Sequence, residues 1–116
     1  MTIANNTITA TQSGANGAVA LALSNNTTGT VRGNTLTATG RGAATNMTAF
    51  GAGGGATTIT VAGNSMSASG GTTNNMANVS LATINAGSTG NVRGSGNCAG
   101  VPASGSIGFT NGTTCP

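Results

Sequence analysis

Apolar and polar residues alternate strictly in Thr35-Leu36-Thr37-Ala38-Thr39, and the same order recurs at Thr7-Ile8-Thr9-Ala10-Thr11 and at Ser65-Met66-Ser67-Ala68-Ser69. Period-two alternation belongs to a strand with one buried and one exposed face. An asparagine precedes each copy, at Asn6, Asn34 and Asn64, with spacings of 28 and 30 residues. A period in this range marks a solenoid or repeat array.

Each repeat has room for two more strands. In the first, Ala18–Leu23 places Val19, Leu21 and Leu23 on one face, and Thr28–Arg32 places Gly29 and Val31 inward. The segments Gln12–Gly17 and Ser24–Thr27 between them are rich in Gly, Asn and Ser, which suit turns. In the second repeat, Met47–Phe50 and Thr58–Ala62 fill these slots, separated by the glycine-rich Gly51–Gly55. In the third, Asn78–Ala82 and Thr89–Arg93 are the expected strands. The valine spacing supports this register, since Val61 follows Val31 by 30 residues and Val92 follows Val61 by 31.

Three strands and three turns per repeat predict an all-β fold, a parallel β-helix (β-solenoid) of three to four coils of roughly 29 residues. Residues 1–94 hold the repeats (about 5–33, 34–62 and 63–94), and 95–116 form an atypical last coil or cap, as solenoids require at their ends. Stacked coils align equivalent residues. The expected core columns are Ile8/Leu36/Met66, Ala10/Ala38/Ala68 and Val31/Val61/Val92. Outside, hydroxyl rows are expected at Thr7/Thr35/Ser65, Thr9/Thr37/Ser67 and Thr11/Thr39/Ser69. The third strands give outer rows Thr28/Thr58/Thr89, Thr30/Thr60/Asn91 and Arg32/Ala62/Arg93.

Charge changes the picture next. The chain has no Asp, Glu, Lys or His, and its only charged side chains are Arg32, Arg41 and Arg93. In-register stacking explains the scarcity, because like charges one coil apart repel. It also removes most chemistry. General acid–base catalysis needs His, Asp, Glu, Lys, Tyr or Cys, and no base is present to activate a Ser or Thr. The expectation is no enzyme, no catalytic residue, no metal site and no cofactor. Three scattered arginines with few aromatics do not make a nucleic-acid footprint. No apolar run approaches the ~20 residues of a membrane span.

Cys98 and Cys115 are the only cysteines, both in the last unit. They read as a disulfide, which would favour an oxidising compartment and stabilise the cap by about 3 kcal/mol through chain entropy. The alternative is two free, buried thiols. Met1–Asn5 lacks the charged and apolar regions of a signal peptide, so a mature chain or a segment without its leader is expected. No Lys, Glu or Pro guards the strand edge of the first coil, Thr2–Thr11. Unguarded edges template further pairing.

These repeats resemble those of bacterial surface β-solenoids: repetitive adhesins, autotransporter passengers and functional-amyloid subunits. Gln12-Ser-Gly14-Ala-Asn16-Gly-Ala18 is similar to the Gln/Gly/Asn/Ala signature of a curlin repeat, with one residue fewer between Gly and Asn. The glutamine is absent from the second and third repeats. The resemblance implies an extracellular, cell-surface, non-enzymatic fibre or adhesive element whose partner is another copy of itself, stacked end to end. The alternative is a β-solenoid binding ice or surface glycans through its outward Thr/Ser rows.

Overall fold

The alternating segments fold into twelve strands and no helix in the structure, a computed structural model that describes residues 1–116. The strands are β1 (Thr2–Ala4), β2 (Thr7–Gln12), β3 (Ala18–Ser24), β4 (Thr28–Arg32), β5 (Thr35–Gly40) and β6 (Asn46–Gly53), followed by β7 (Thr58–Ala62), β8 (Ser65–Ser69), β9 (Thr73–Ser80), β10 (Thr83–Ile84), β11 (Val92–Arg93) and β12 (Asn97–Ala99). They form three four-stranded sheets: sheet I, β2-β5-β8-β11; sheet II, β3-β6-β9-β12; and sheet III, β1-β4-β7-β10. All these pairings are parallel. The chain visits sheets III, I and II in turn, so the fold is a parallel β-solenoid of about three turns. No helix is long and apolar enough to cross a membrane.

The register brings like residues together. Ile8, Leu36 and Met66 share one column in sheet I, and Ala10, Ala38 and Ala68 share the next. In sheet II, Leu21, Phe50, Ala77 and Cys98 are aligned. In sheet III, Ile3 pairs with Val31 and Val31 with Val61. Leu36, Phe50, Val61 and Met66 are wholly buried. The equivalent side chains of the first coil, Ile3, Ile8, Leu21 and Leu23, are only partly covered, because no coil lies beyond them.

Several expectations are corrected. Val92 does not continue the Val31/Val61 column: it pairs with Ser65 in sheet I and is 46 % exposed. The third coil is short, with only 27 residues between Asn64 and Asn91, so Thr89–Arg93 spans the corner that opens a fourth coil instead of forming a third strand. That strand is β10, which aligns Thr28, Thr58 and Thr83. Asn85, not Asn91, stands beside Thr60, bonding its hydroxyl at 3.1 Å, and Arg93 does not extend the Arg32/Ala62 row. The 31-residue spacing of Val61 and Val92 thus joins two different sheets. Likewise the second strand of the third coil is β9, which begins at Thr73 and shares only Asn78–Ser80 with the expected Asn78–Ala82.

Val19 faces outward, 48 % exposed. Its strand breaks alternation midway, with Ala20 and Leu21 both turned inward, and Ala49-Phe50 and Met76-Ala77 repeat the slip in β6 and β9. The simple two-residue rhythm therefore assigns the first half of β3 to the wrong face. Finally, the segment before Asn6 is itself a strand: β1 pairs with β4 and belongs to the preceding turn of the helix.

Candidate functional site

The distinctive chemistry lies along one corner and at the two ends of the stack. Between sheets III and I the chain must turn sharply, and the turning residue takes positive φ: Asn5 (59°), Gly33 (64°), Gly63 (64°) and Gly90 (73°). Glycine and asparagine adopt this conformation at least cost. The next residue is asparagine every time, which gives Asn6, Asn34, Asn64 and Asn91. These side chains point along the solenoid axis and form a ladder. Asn34 Oδ1 accepts the Asn6 backbone N–H at 2.9 Å and its Nδ2 at 3.2 Å. Asn64 Oδ1 does the same for Asn34 at 2.9 and 3.0 Å, and Asn91 Oδ1 for Asn64 at 2.9 and 3.1 Å. The amides also donate to main-chain carbonyls, as Asn64 does to Val31 at 2.9 Å. Three of the four asparagines are buried, and every bond they make replaces one lost to water.

The ladder has a direction, so its ends differ. At the N-terminal end Asn6 is exposed, and its Oδ1 accepts no bond within the chain. Thr35 donates its N–H to the Asn6 carbonyl. By the alternation of a parallel ladder, Thr7, Thr9 and Thr11 therefore turn their N–H and C=O groups away from β5, toward the open end. This edge is uncharged and unpaired.

The C-terminal end is closed at this corner, while β12 pairs with β9 alone. Asn91 directs its N–H and its Nδ2 to the Gly108 carbonyl, at 3.3 and 3.0 Å. Thr110 donates to the Asn91 carbonyl at 2.8 Å. The Asn111 side chain straddles Arg93, with Oδ1 accepting the Arg93 N–H at 2.7 Å and Nδ2 donating to the Arg93 carbonyl at 2.9 Å. Beyond it the chain reverses, and Ile107 and Cys115 form an antiparallel bridge. A Cys98–Cys115 disulfide ties this turn to β12, so neither thiol is free. Ile107 and Cys115 are buried.

Arg93 occupies the column of Ile8, Leu36 and Met66. Its guanidinium reaches across the end of the core, donating from Nη1 to the Thr113 carbonyl at 2.8 Å and lying 5.6 Å from the Phe109 ring centre. The aliphatic stem continues the apolar column while the charged head stays at the surface.

On sheet I the nine hydroxyl residues Thr7, Thr9, Thr11, Thr35, Thr37, Thr39, Ser65, Ser67 and Ser69 lie in three aligned rows. One of them is engaged: Ser67 Oγ accepts the Ser95 N–H at 3.2 Å. Gln12, central to the curlin likeness, folds back on its own turn, its Oε1 accepting the Gly14 N–H at 2.9 Å. Asn6, Asn34 and Asn64 stand out in the sequence as heads of the repeats and Asn91 as a member of an outer row, but nothing there assigns a bonding role to them or to the Asn111 clasp. The ladder's signal was the asparagine heading every repeat behind a Gly or Asn, Gly90-Asn91 included. The clasp had no repeat to reveal it. No protein family, curated protein or solved structure matches the chain.

Proposed function

We propose that this chain is a structural, non-enzymatic segment of an extracellular bacterial filament or adhesin, which lengthens by pairing of coils at its N-terminal end. One observation carries the reading: an in-register stack with only three charged side chains ends in free strand edges on one side and, at the corner between sheets III and I, in a dedicated closure on the other. Free edges favour main-chain pairing with a further coil. The disulfide supports an oxidising, extracellular setting. The test is immunogold labelling of intact producing cells. Label on thread-like material outside the cell is the expected result, and label confined to the cell interior would overturn the reading.

A second reading draws on the hydroxyl rows of sheet I. Aligned strands place them ~4.8 Å apart between coils and ~6.7 Å apart along a strand, a regular grid that would suit ice or a surface glycan.

A further inference from the structure

In the ladder, each coil receives a fixed set of bonds from the next. Val92 donates its N–H to the Asn64 carbonyl and Gly94 to the Met66 carbonyl, while Asn91 Oδ1 takes the Asn64 N–H. Repeating this pattern one level beyond β11 specifies what a further coil must offer: an acceptor for the Asn91 N–H and Nδ2, a donor for the Asn91 carbonyl, and an acceptor and a donor for Arg93.

The cap meets each requirement with a substitute. Gly108 O takes the place of a ladder Oδ1, Thr110 N–H that of the first strand residue, and the Asn111 amide that of two main-chain groups. The N-terminal end of this chain carries the originals. Asn6 Oδ1 is free, and Thr7 N–H, Thr7 C=O and Thr9 N–H face outward by the alternation derived above. In stacking register these groups fall where Gly108 O, Thr110 N–H and the two Asn111 amide atoms now lie. Two N-terminal ends do not fit each other in this way, since Asn6 Oδ1 would meet a second acceptor.

We infer that the C-terminal cap is an intramolecular stand-in for the N-terminal coil of a second copy, and that displacing it lets copies stack head to tail. The cap and the incoming coil compete for Asn91 and Arg93, and the Cys98–Cys115 link biases that competition by keeping the cap tethered. This rests on the stacking function proposed above and names both the partner and its control.

The experiment is sedimentation velocity with electron microscopy on three proteins: the parent, Cys98→Ser/Cys115→Ser, and that double variant with Thr9→Pro. The parent should give a single 10.8 kDa boundary over the whole concentration range. The double variant should shift to fast-sedimenting, unbranched stacks, and Thr9→Pro should return it to the monomer. Proline is tolerated at an edge whose N–H faces outward, but it removes the donor that Asn111 Nδ2 imitates. If the double variant loses its far-ultraviolet β signal, Asn111→Ala carries the test with the disulfide intact, and Thr9→Pro must again block its assembly. A folded, cap-weakened variant that stays monomeric, or stacks indifferent to Thr9→Pro, would overturn the inference. A parent that assembles with its disulfide intact would also overturn it while leaving the stacking function standing. Cell labelling decides that function separately.

Discussion

Asn34 and Asn64 are joined twice over, since the single Oδ1 of Asn64 accepts both the main-chain N–H and the side-chain Nδ2 of Asn34, at 2.9 and 3.0 Å. Both side chains are buried. Asn64→Leu has similar bulk, but it strands the Asn34 N–H and the Val31 carbonyl. Each abandoned buried group costs about 1–3 kcal/mol, so urea denaturation should show a loss of about 2–6 kcal/mol. Asn64→Asp tests the same site by charge. Burial raises the carboxyl's folded-state pKa above its unfolded value. The native state then holds the extra proton, so stability should be lowest at neutral pH and recover as the pH falls. A melting temperature of Asn64→Asp that did not rise on acidification would contradict the placement of this residue.

At the neighbouring corner the backbone itself can be tested. A methyl added at Gly63 meets nothing closer than the Gly33 nitrogen at 3.9 Å, yet φ is +64°. Gly63→Ala therefore carries conformational strain alone, about 1–2 kcal/mol. Gly63→Asn should cost clearly less, because Asn5 holds the equivalent turn at φ 59°. Gly70→Ala, at φ +80° and with its methyl driven into the Gly40 carbonyl, should be the most damaging of the three. Thermal melts of the three variants give the order directly.

A chain with no Asp, Glu or His has no side chain that changes charge between about pH 3 and pH 8. Folding then releases or binds almost no protons through side chains, and stability has almost no slope with pH. Thermal melts across this range should coincide within a few degrees. Added salt should matter equally little, since the chain contains no acidic side chain to pair with its arginines. A steep acid transition would show that the stack depends on a titrating group outside the ladders described above.

The parts of this fold legible in the sequence are those where one physical rule acts alone. Thr35–Thr39 alternates because β5 has one inner and one outer face, and its spacing from Ser65–Ser69 is the coil length itself. The rule fails where a second constraint intrudes. Alternation places Val19 inward, but Ala20 and Leu21 are both drawn inward and shift the phase. Spacing places Val92 under Val61, but the third coil closes early and Gly90-Asn91 opens the next. The cap is the least legible part. Asn111 acts by imitating a backbone, and nothing in its neighbours' polarity pattern announces that.

The hydroxyl rows offer the last test. Thr37 sits at the centre of the grid, flanked by Thr9 and Ser67 in the adjoining coils. It faces outward and is only partly covered, so a larger side chain there projects from the face without entering the core. Thr37→Tyr should leave the melting temperature nearly unchanged, because aromatic residues are well accommodated on exposed strand positions. If the rows bind ice, the parent protein should show thermal hysteresis, and the protruding ring should abolish it by breaking the flat contact. Thr is also a favoured exposed strand residue with no ligand at all. Absence of hysteresis in the parent, with no retention on immobilised glycans, would mean that these hydroxyls serve only to cover sheet I.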